Sequence, residues 1–356
     1  MPRLRRLAAA CCLAAPLALA ACSAAAGPGP GSAAAGSPLR SAFERRTGDT
    51  VSRDCGYSAP LPARPSWSLW LFCDTQVLTG PPGRSQHVAS LILGADTAAV
   101  GLSRPGGTPG LLAELPSPSP AGSSSEAPAR PGPPARLSAS APAPFLPVPG
   151  GLISPGTAAP CGGGASYPAA WISGVTRAPA AAGRGRLLIT YDDYCAAGFP
   201  GTSATAEGFG LAEYDPARGT VTTPPPVFRA SPLPYQQTLG SPVIGRDGYL
   251  YLFGYGPGGV SLARVPDAPS FWQNPFAYSY RSGSGWSASA TAAASLLPPG
   301  PAPLGAAAAA VPGRGIVLVE QTSLSGDFTV WRAPAPAGPW RRALSARVPC
   351  SRGTGR

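Results

Sequence analysis

Lysine is absent from this 356-residue chain, histidine and methionine occur once each, and charged residues make up only 12%. All 27 basic side chains are therefore arginine, which together with abundant Ala, Gly and Pro marks a GC-rich genome rather than a chemistry. The single histidine, His87, has no Cys or His at metal-ligand spacing, which argues against a zinc site and a Ser-His-Asp triad. The run Gly162-Gly163-Gly164 is followed by neither a lysine nor a helical pattern, so nothing reads as a phosphate loop and no cofactor is implied. Formal net charge is +11. The arginines are scattered and carry no recognition motif, so an acidic envelope polymer is a better partner for them than nucleic acid.

The N-terminus is basic through Arg3, Arg5 and Arg6, and an apolar run follows from Leu7 to Ala21. That run has the length of a secretory signal and is too short to act as a stop-transfer helix. It ends Leu19-Ala20-Ala21-Cys22, a lipobox, which predicts lipidation of Cys22 and attachment to the outer face of the cytoplasmic membrane. More than one acyl chain is needed for stable anchoring. Residues 23–48 then read as a tether, since Ser23 to Ser37 is almost wholly Ala, Gly, Pro and Ser.

The remaining residues, 49–356, lack convincing helical periodicity. Short apolar bursts recur between Gly and Pro punctuation: Trp67–Phe72, Val88–Leu93, Ala98–Leu102, Ala170–Val175, Leu187–Tyr191, Gly208–Tyr214, Tyr249–Gly254, Val260–Val265, Gly315–Glu320 and Phe328–Trp331. Four of them (at Trp70, Leu187, Tyr249 and Ile316) form a weak repeat at the spacing of propeller blades. The expected fold is all-β, a five-bladed β-propeller with an incomplete last blade. Pro116 to Pro144 reads as a disordered insertion, and Leu297 to Ala310 as a loop because prolines flank its alanines.

Asp54-Cys55 and Cys73-Asp74 form a mirror. A hairpin that pairs Cys55 with Cys73 sets Tyr57 opposite Leu71, Ala59 opposite Leu69 and Leu61 opposite Trp67, a wholly apolar face. The same register sets Asp54 opposite Asp74. Opposed residues lie about 4.5–5.5 Å apart at Cα, close to the spacing a disulfide spans. Two carboxylates held together repel, so one takes up a proton and the other stays charged, which is what glycoside hydrolysis requires. The plainer alternative is that each Asp closes a turn.

An exported chain favours disulfides, and Cys161 pairs best with Cys195, which leaves Cys350 without a partner. The tail after Val348 holds no strand to close a ring, so a closing strand is expected to be missing. Asp192 and Asp193 follow a strand and are candidates for sugar hydroxyls, although a solvated turn is the commoner use. Tyr57 stands beside the Asp-Cys element, and Trp171 and Trp272 are aromatic platforms for a sugar, unless they fill the core. Glu207, Glu213 and Glu320 are possible general acids that spacing does not separate.

Asp54-Cys-Gly-Tyr-Ser-Ala-Pro-Leu61, Leu69-Trp-Leu-Phe-Cys-Asp-Thr75, Leu239-Gly-Ser-Pro-Val243, Asp247-Gly-Tyr-Leu-Tyr251 and the closing Trp331 to Trp340 carry a resemblance. The chain resembles, over residues 50 to 342, a bacterial family of five-bladed β-propellers that includes endo-D-arabinanases and is otherwise a domain of unknown function. The resemblance implies catalytic carboxylates at the propeller axis, with Asp54 and Asp74 the positions to test. Cys73 stands where the family pattern has glycine. The expectation is a cell-surface, glycoside hydrolase-like propeller acting on an envelope or extracellular polysaccharide, with an arabinan among the candidates. The rival is a propeller that binds glycan without turning it over.

Overall fold

A computed structural model of the chain describes residues 40–80, 86–92, 96–102, 110–120, 140–146, 161, 166–183, 185–197, 203–223, 227–229, 238–323 and 326–347. Cys22, the expected signal and Cys350 lie outside them. The described chain is all-β apart from a few short helices, and its strands form five sheets.

Four of the sheets are meanders, each running from an inner strand outward, the first interrupted between its second and third strands by Thr75–Thr79 and His87–Ile92. The first holds Tyr57–Leu61, Arg64–Phe72, Thr97–Leu102 and Leu112–Glu114. The second holds Ser166–Arg177, Leu187–Ala197, Ser203–Asp215 and Thr220–Thr222, and Ser119–Pro120 runs parallel along its edge. The third begins Thr238–Ile244, Tyr249–Gly256 and Gly259–Pro266, and the fourth comprises Gly305–Val311, Gly315–Gln321, Asp327–Ala333 and Arg341–Arg347. The inner strands pack against one another in sequence order, first on second, second on third, third on fourth.

The fifth sheet, Thr50–Arg53 with Thr75–Thr79 and His87–Ile92, continues the first. One antiparallel register runs through both: Thr50 opposes Leu78, Arg53 opposes Thr75, and Tyr57 opposes Leu71. The Cys55–Cys73 disulfide sits at the junction with Cα atoms 5.4 Å apart. Here Cys55 adopts φ +58° and Gly56 φ +150°, so the chain breaks its pleat without losing register.

The apolar bursts are unbroken because the second strand of each middle sheet is buried on both faces. Leu187 and Ile189 join the core against the first sheet, whereas Leu188 joins the core against the third. Leu250 and Leu252 likewise face the second sheet while Tyr251 and Phe253 face the fourth. A strand with two dry faces cannot show the apolar/polar alternation of a half-exposed one.

Inner strands of the second and third sheets approach so closely that side chains are excluded. A Cβ on Gly174 would stand 2.6 Å from Ser241 N, and one on Gly240 would stand 2.6 Å from Ser173 O. Ser173 Oγ donates to Leu239 O at 3.3 Å, and Ser241 Oγ donates to Ala306 O at 3.2 Å, so each strand is tied to the next. Gly174→Ala is therefore expected to destabilise the protein by about 3 kcal/mol, the upper end of overpacking costs, because backbone must move. Urea unfolding checks this, and an unchanged midpoint would show that the strands separate freely.

Several expectations are corrected. All ten apolar bursts are strands, but Gly305–Val311 is also a strand, the inner one of the fourth sheet, rather than part of a loop. Ala306 packs in the core shared with the third sheet, and the prolines lie outside the strand, before it and at Pro312. The ordered chain begins ahead of position 49: Ser41 caps a helix at Ala42–Thr47 through a reciprocal bond with Glu44, Gly48 ends it at φ +80°, and Ser41 bridges to Leu112. Leu61 opposes Arg64, not Trp67, since the turn takes only Pro62 and Ala63. Of the expected insertion at 116–144, Ser119–Pro120 pairs with the second sheet and Pro144 bridges to Thr97, while residues 121–139 lie outside the described chain.

Candidate functional site

Asp54 and Asp74 face each other across the hairpin. Asp54 N–H donates to Asp74 O at 3.0 Å, and Cys73 N–H donates to Asp54 O at 3.0 Å. Their carboxyl groups have different surroundings. Asp54 is exposed as a residue, yet partial burial of its carboxyl raises its pKa. Asp74 is half-buried and accepts a hydrogen bond from Trp171 Nε1 at 3.0 Å, which reaches across from the second sheet.

A third carboxyl, Asp96, stands behind Asp74 and has no solvent exposure. Its Oδ1 accepts from Ile172 N–H at 3.0 Å, and its Oδ2 accepts from no group. Burial holds its pKa well above the usual carboxylate range; the Ile172 N–H opposes this and the charge of Asp74 adds to it. Burial thus favours the uncharged form of Asp96, which lessens the like charge beside Asp74.

Asp192 repeats this arrangement one sheet further on. It is almost completely buried, is hydrogen-bonded to the Ser173 hydroxyl and accepts from the Leu239 backbone N–H. Burial raises its pKa far more than those bonds lower it, and Asp193 raises it further. Both buried acids therefore accept a backbone N–H from the inner strand of the following sheet. They tie sheets together, a use of carboxyl groups that composition and spacing do not reveal.

Aromatic side chains gather around these acids. Trp171 and Tyr194 pack with ring centroids 4.9 Å apart. Burial raises the pKa values of Tyr57 and Tyr194, and each also feels Tyr255 and Asp192, which places Tyr57, Tyr194, Tyr255 and Asp192 within one electrostatic neighbourhood. Tyr57 comes from the first sheet, Tyr194 from the second and Tyr255 from the third. The result is a gathering of carboxyl and phenol groups from three sheets, held by disulfides on two sides. Cys161–Cys195, with Cα atoms 5.7 Å apart, pins the strand that carries Asp192 and Tyr194.

Of the residues singled out from sequence, Asp54, Asp74, Tyr57, Trp171 and Asp192 come together here. Asp193 lies on the same strand as Asp192 and is half-buried. Trp272 does not join them: it is 3% exposed, within the core between the second and third sheets, with Tyr278 Oη donating to its carbonyl at 2.7 Å. Glu213 pairs with Arg186, and Glu320 accepts from Trp331 Nε1, both away from this cluster. Asp96 and Tyr255 escaped sequence reading. Asp96 follows Gly94-Ala95 in sequence and Tyr255 closes an apolar run, and neither context signals a site.

Burial, with a smaller push from Glu207, raises the pKa of Asp193 to about 6. An unfolded aspartate ionises near 3.8. Between these values the folded chain holds a proton that the unfolded chain has released, so stability is full below pH 4 and falls as pH rises to 6. Asp192 and Asp96, raised in the same direction, extend the fall to higher pH. Asp193→Asn is expected to flatten the pH 4–6 part of a melting-temperature profile. An equally steep profile in the variant would show that Asp193 ionises normally.

No family model matches the chain, and no curated protein matches it. Among solved structures, a putative hydrolase from Bacteroides ovatus is similar at 15% identity over 83% of this chain and 69% of that one, with a TM-score of 0.50. Zg3597, a family 117 glycoside hydrolase of the marine bacterium Zobellia galactanivorans, aligns at 13% identity over 88% of this chain and 75% of that one, with a TM-score of 0.44. An exo-β-1,3-galactanase from Phanerochaete chrysosporium aligns at 11% identity over 84% and 51%, with a TM-score of 0.32. The first likeness is one of fold alone, and the other two are looser still.

Proposed function

We propose that this protein is a cell-surface lipoprotein whose propeller acts as a glycoside hydrolase on an envelope or extracellular polysaccharide, an arabinan among the candidates. The observation that carries the proposal is the opposed pair Asp54 and Asp74, with the Asp74 carboxylate fixed by Trp171. Asp54, with its raised pKa, is the proton donor to the leaving oxygen, and Asp74 is the charged partner that serves as base or nucleophile. Asp96 is a positioning residue: with no surface of its own it cannot meet substrate, and it acts through Asp74. Tyr57, Trp171 and Tyr194 offer rings and hydroxyls to a sugar, as such sites usually do. The likeness in fold to a hydrolase supports the reading. The four stacked sheets support a propeller, with a fifth blade as the finer expectation. The lipobox at Cys22 supports anchoring at the outer face of the cytoplasmic membrane.

A second reading, glycan binding without turnover, is favoured by the structural use of Asp96 and Asp192, which takes two of the gathered carboxyl groups out of the chemistry. Release of reducing ends from a panel of arabinans, galactans and other envelope polysaccharides separates the two. Turnover by the mature protein, lost in Asp54→Asn and in Asp74→Asn, supports the hydrolase. Saturable binding with no turnover selects the second reading.

A further inference from the structure

A groove of about 700 Å³ lies between the third and fourth sheets, away from the acidic cluster. Its volume falls within the range of small-molecule sites, roughly 300–1,000 Å³. One wall is the segment that links the two sheets, Ser295 to Pro301. That wall is fixed rather than loose. Leu296 N–H donates to Val260 O at 2.7 Å, and Ser295 Oγ packs over Gly259, where φ is +96° and an added Cβ would stand 2.7 Å from that oxygen. Beyond the wall, Leu304 N–H donates to Gln321 O at 2.8 Å, so the segment is tied to both sheets it joins.

The opposite side of the groove belongs to the fourth sheet. Glu320 is 8% exposed, and its Oε2 accepts from Trp331 Nε1 at 3.0 Å. The bond fixes the indole, which remains half-exposed along the groove. Thr322 and Thr329 contribute hydroxyls, and Arg342 contributes a guanidinium. We infer that this groove is a second carbohydrate site that holds a stretch of a neutral oligosaccharide without reacting with it.

The chemistry selects that ligand class. A carboxylate, which only accepts, and a guanidinium, which only donates, together match hydroxyl groups, which do both. The carboxylate in the groove opposes a phosphate or another anion. The flat indole offers an apolar face to the C–H side of a sugar ring, and the open shape suits a chain that passes through rather than a compact molecule held inside. Among the described residues the strand partners of Glu320 are Ala306 and Thr329 and not acids, so the groove suits binding rather than hydrolysis.

The inference does not rest on the proposed hydrolase, and its test keeps the two apart. Affinity gel electrophoresis of the full chain carrying Asp54→Asn and Asp74→Asn would be run through gels of arabinan, galactan and arabinogalactan. The expected result is retardation by at least one of them, weakened at least tenfold by Trp331→Ala. Because Trp331→Ala also removes a partner of Glu320, Thr329→Tyr serves as the second variant. It suits a strand, fills the groove and leaves the Glu320–Trp331 bond in place. Retardation unchanged in Thr329→Tyr overturns the inference, as does the absence of retardation in all three gels.

Discussion

Asp74→Asn is expected to lower polysaccharide turnover by about 10³-fold, within the range of about 10²–10⁴ that a positioned acid or base contributes. Asparagine keeps an oxygen for Trp171 Nε1, whose bond to Asp74 Oδ1 is 3.0 Å, so the indole stays in place. What disappears is the negative charge. The expected signature is thus a fall in kcat with KM little changed and a melting temperature within a few degrees of the parent. Asp96→Asn should act differently, since an amide oxygen keeps the 3.0 Å bond from Ile172 N–H and burial already favours the uncharged form of Asp96. Turnover in that variant should therefore stay close to the parent's, with the pH–rate profile unmoved. Full activity in Asp74→Asn would remove the hydrolase proposal and leave glycan binding.

Loss of the Cys55–Cys73 bond, made as the double Ala variant, is expected to cost about 3 kcal/mol. The two residues are 18 apart in sequence, and closing a loop of that size restricts the unfolded chain by that amount. A drop of several degrees in melting temperature follows, read by calorimetry on the mature chain. The bond also lies where the first sheet passes into its extension, with Asp54 and Asp74 as its immediate neighbours. Turnover should therefore fall more than the folded fraction does at a temperature where the variant remains folded. Equal falls in both would show that the disulfide supports the sheet but not the pair.

The first hairpin was legible because cysteines, acids and apolar residues all demanded the same register, and Tyr57 opposite Leu71 satisfies every one of them. The repeat was legible for a related reason: Trp70, Leu187, Tyr249 and Ile316 all begin or lie in second strands, and in the two middle sheets both faces of that strand are dry. The fourth sheet's inner strand was not legible. Small residues are needed near the middle of the stack, and seven residues of mostly alanine resemble a loop when prolines flank them. Asp96 was hidden because its partner, the backbone of Ile172, is 76 positions away and any residue supplies the same N–H. Trp272 misled because an indole suits a core as well as a sugar, and only packing separates the two.

The later stacked sheets are each made from one stretch of chain, the third from residues 238 to 287 and the fourth from 305 to 347, whereas the first is interrupted by Thr75–Thr79 and His87–Ile92. Strand partners are therefore near neighbours in sequence, while the bonds from Ser173, Ser241, Asp96 and Asp192 reach forward to a sheet that comes later. A chain delivered from its N-terminus can complete one sheet before the next exists, and local pairing of this kind is quick to form. The forward-reaching groups then act as latches. Each waits with an unmet hydrogen-bonding need that only the arriving inner strand can satisfy, so assembly acquires a direction and a sheet that arrives misfolded leaves the previous latch open.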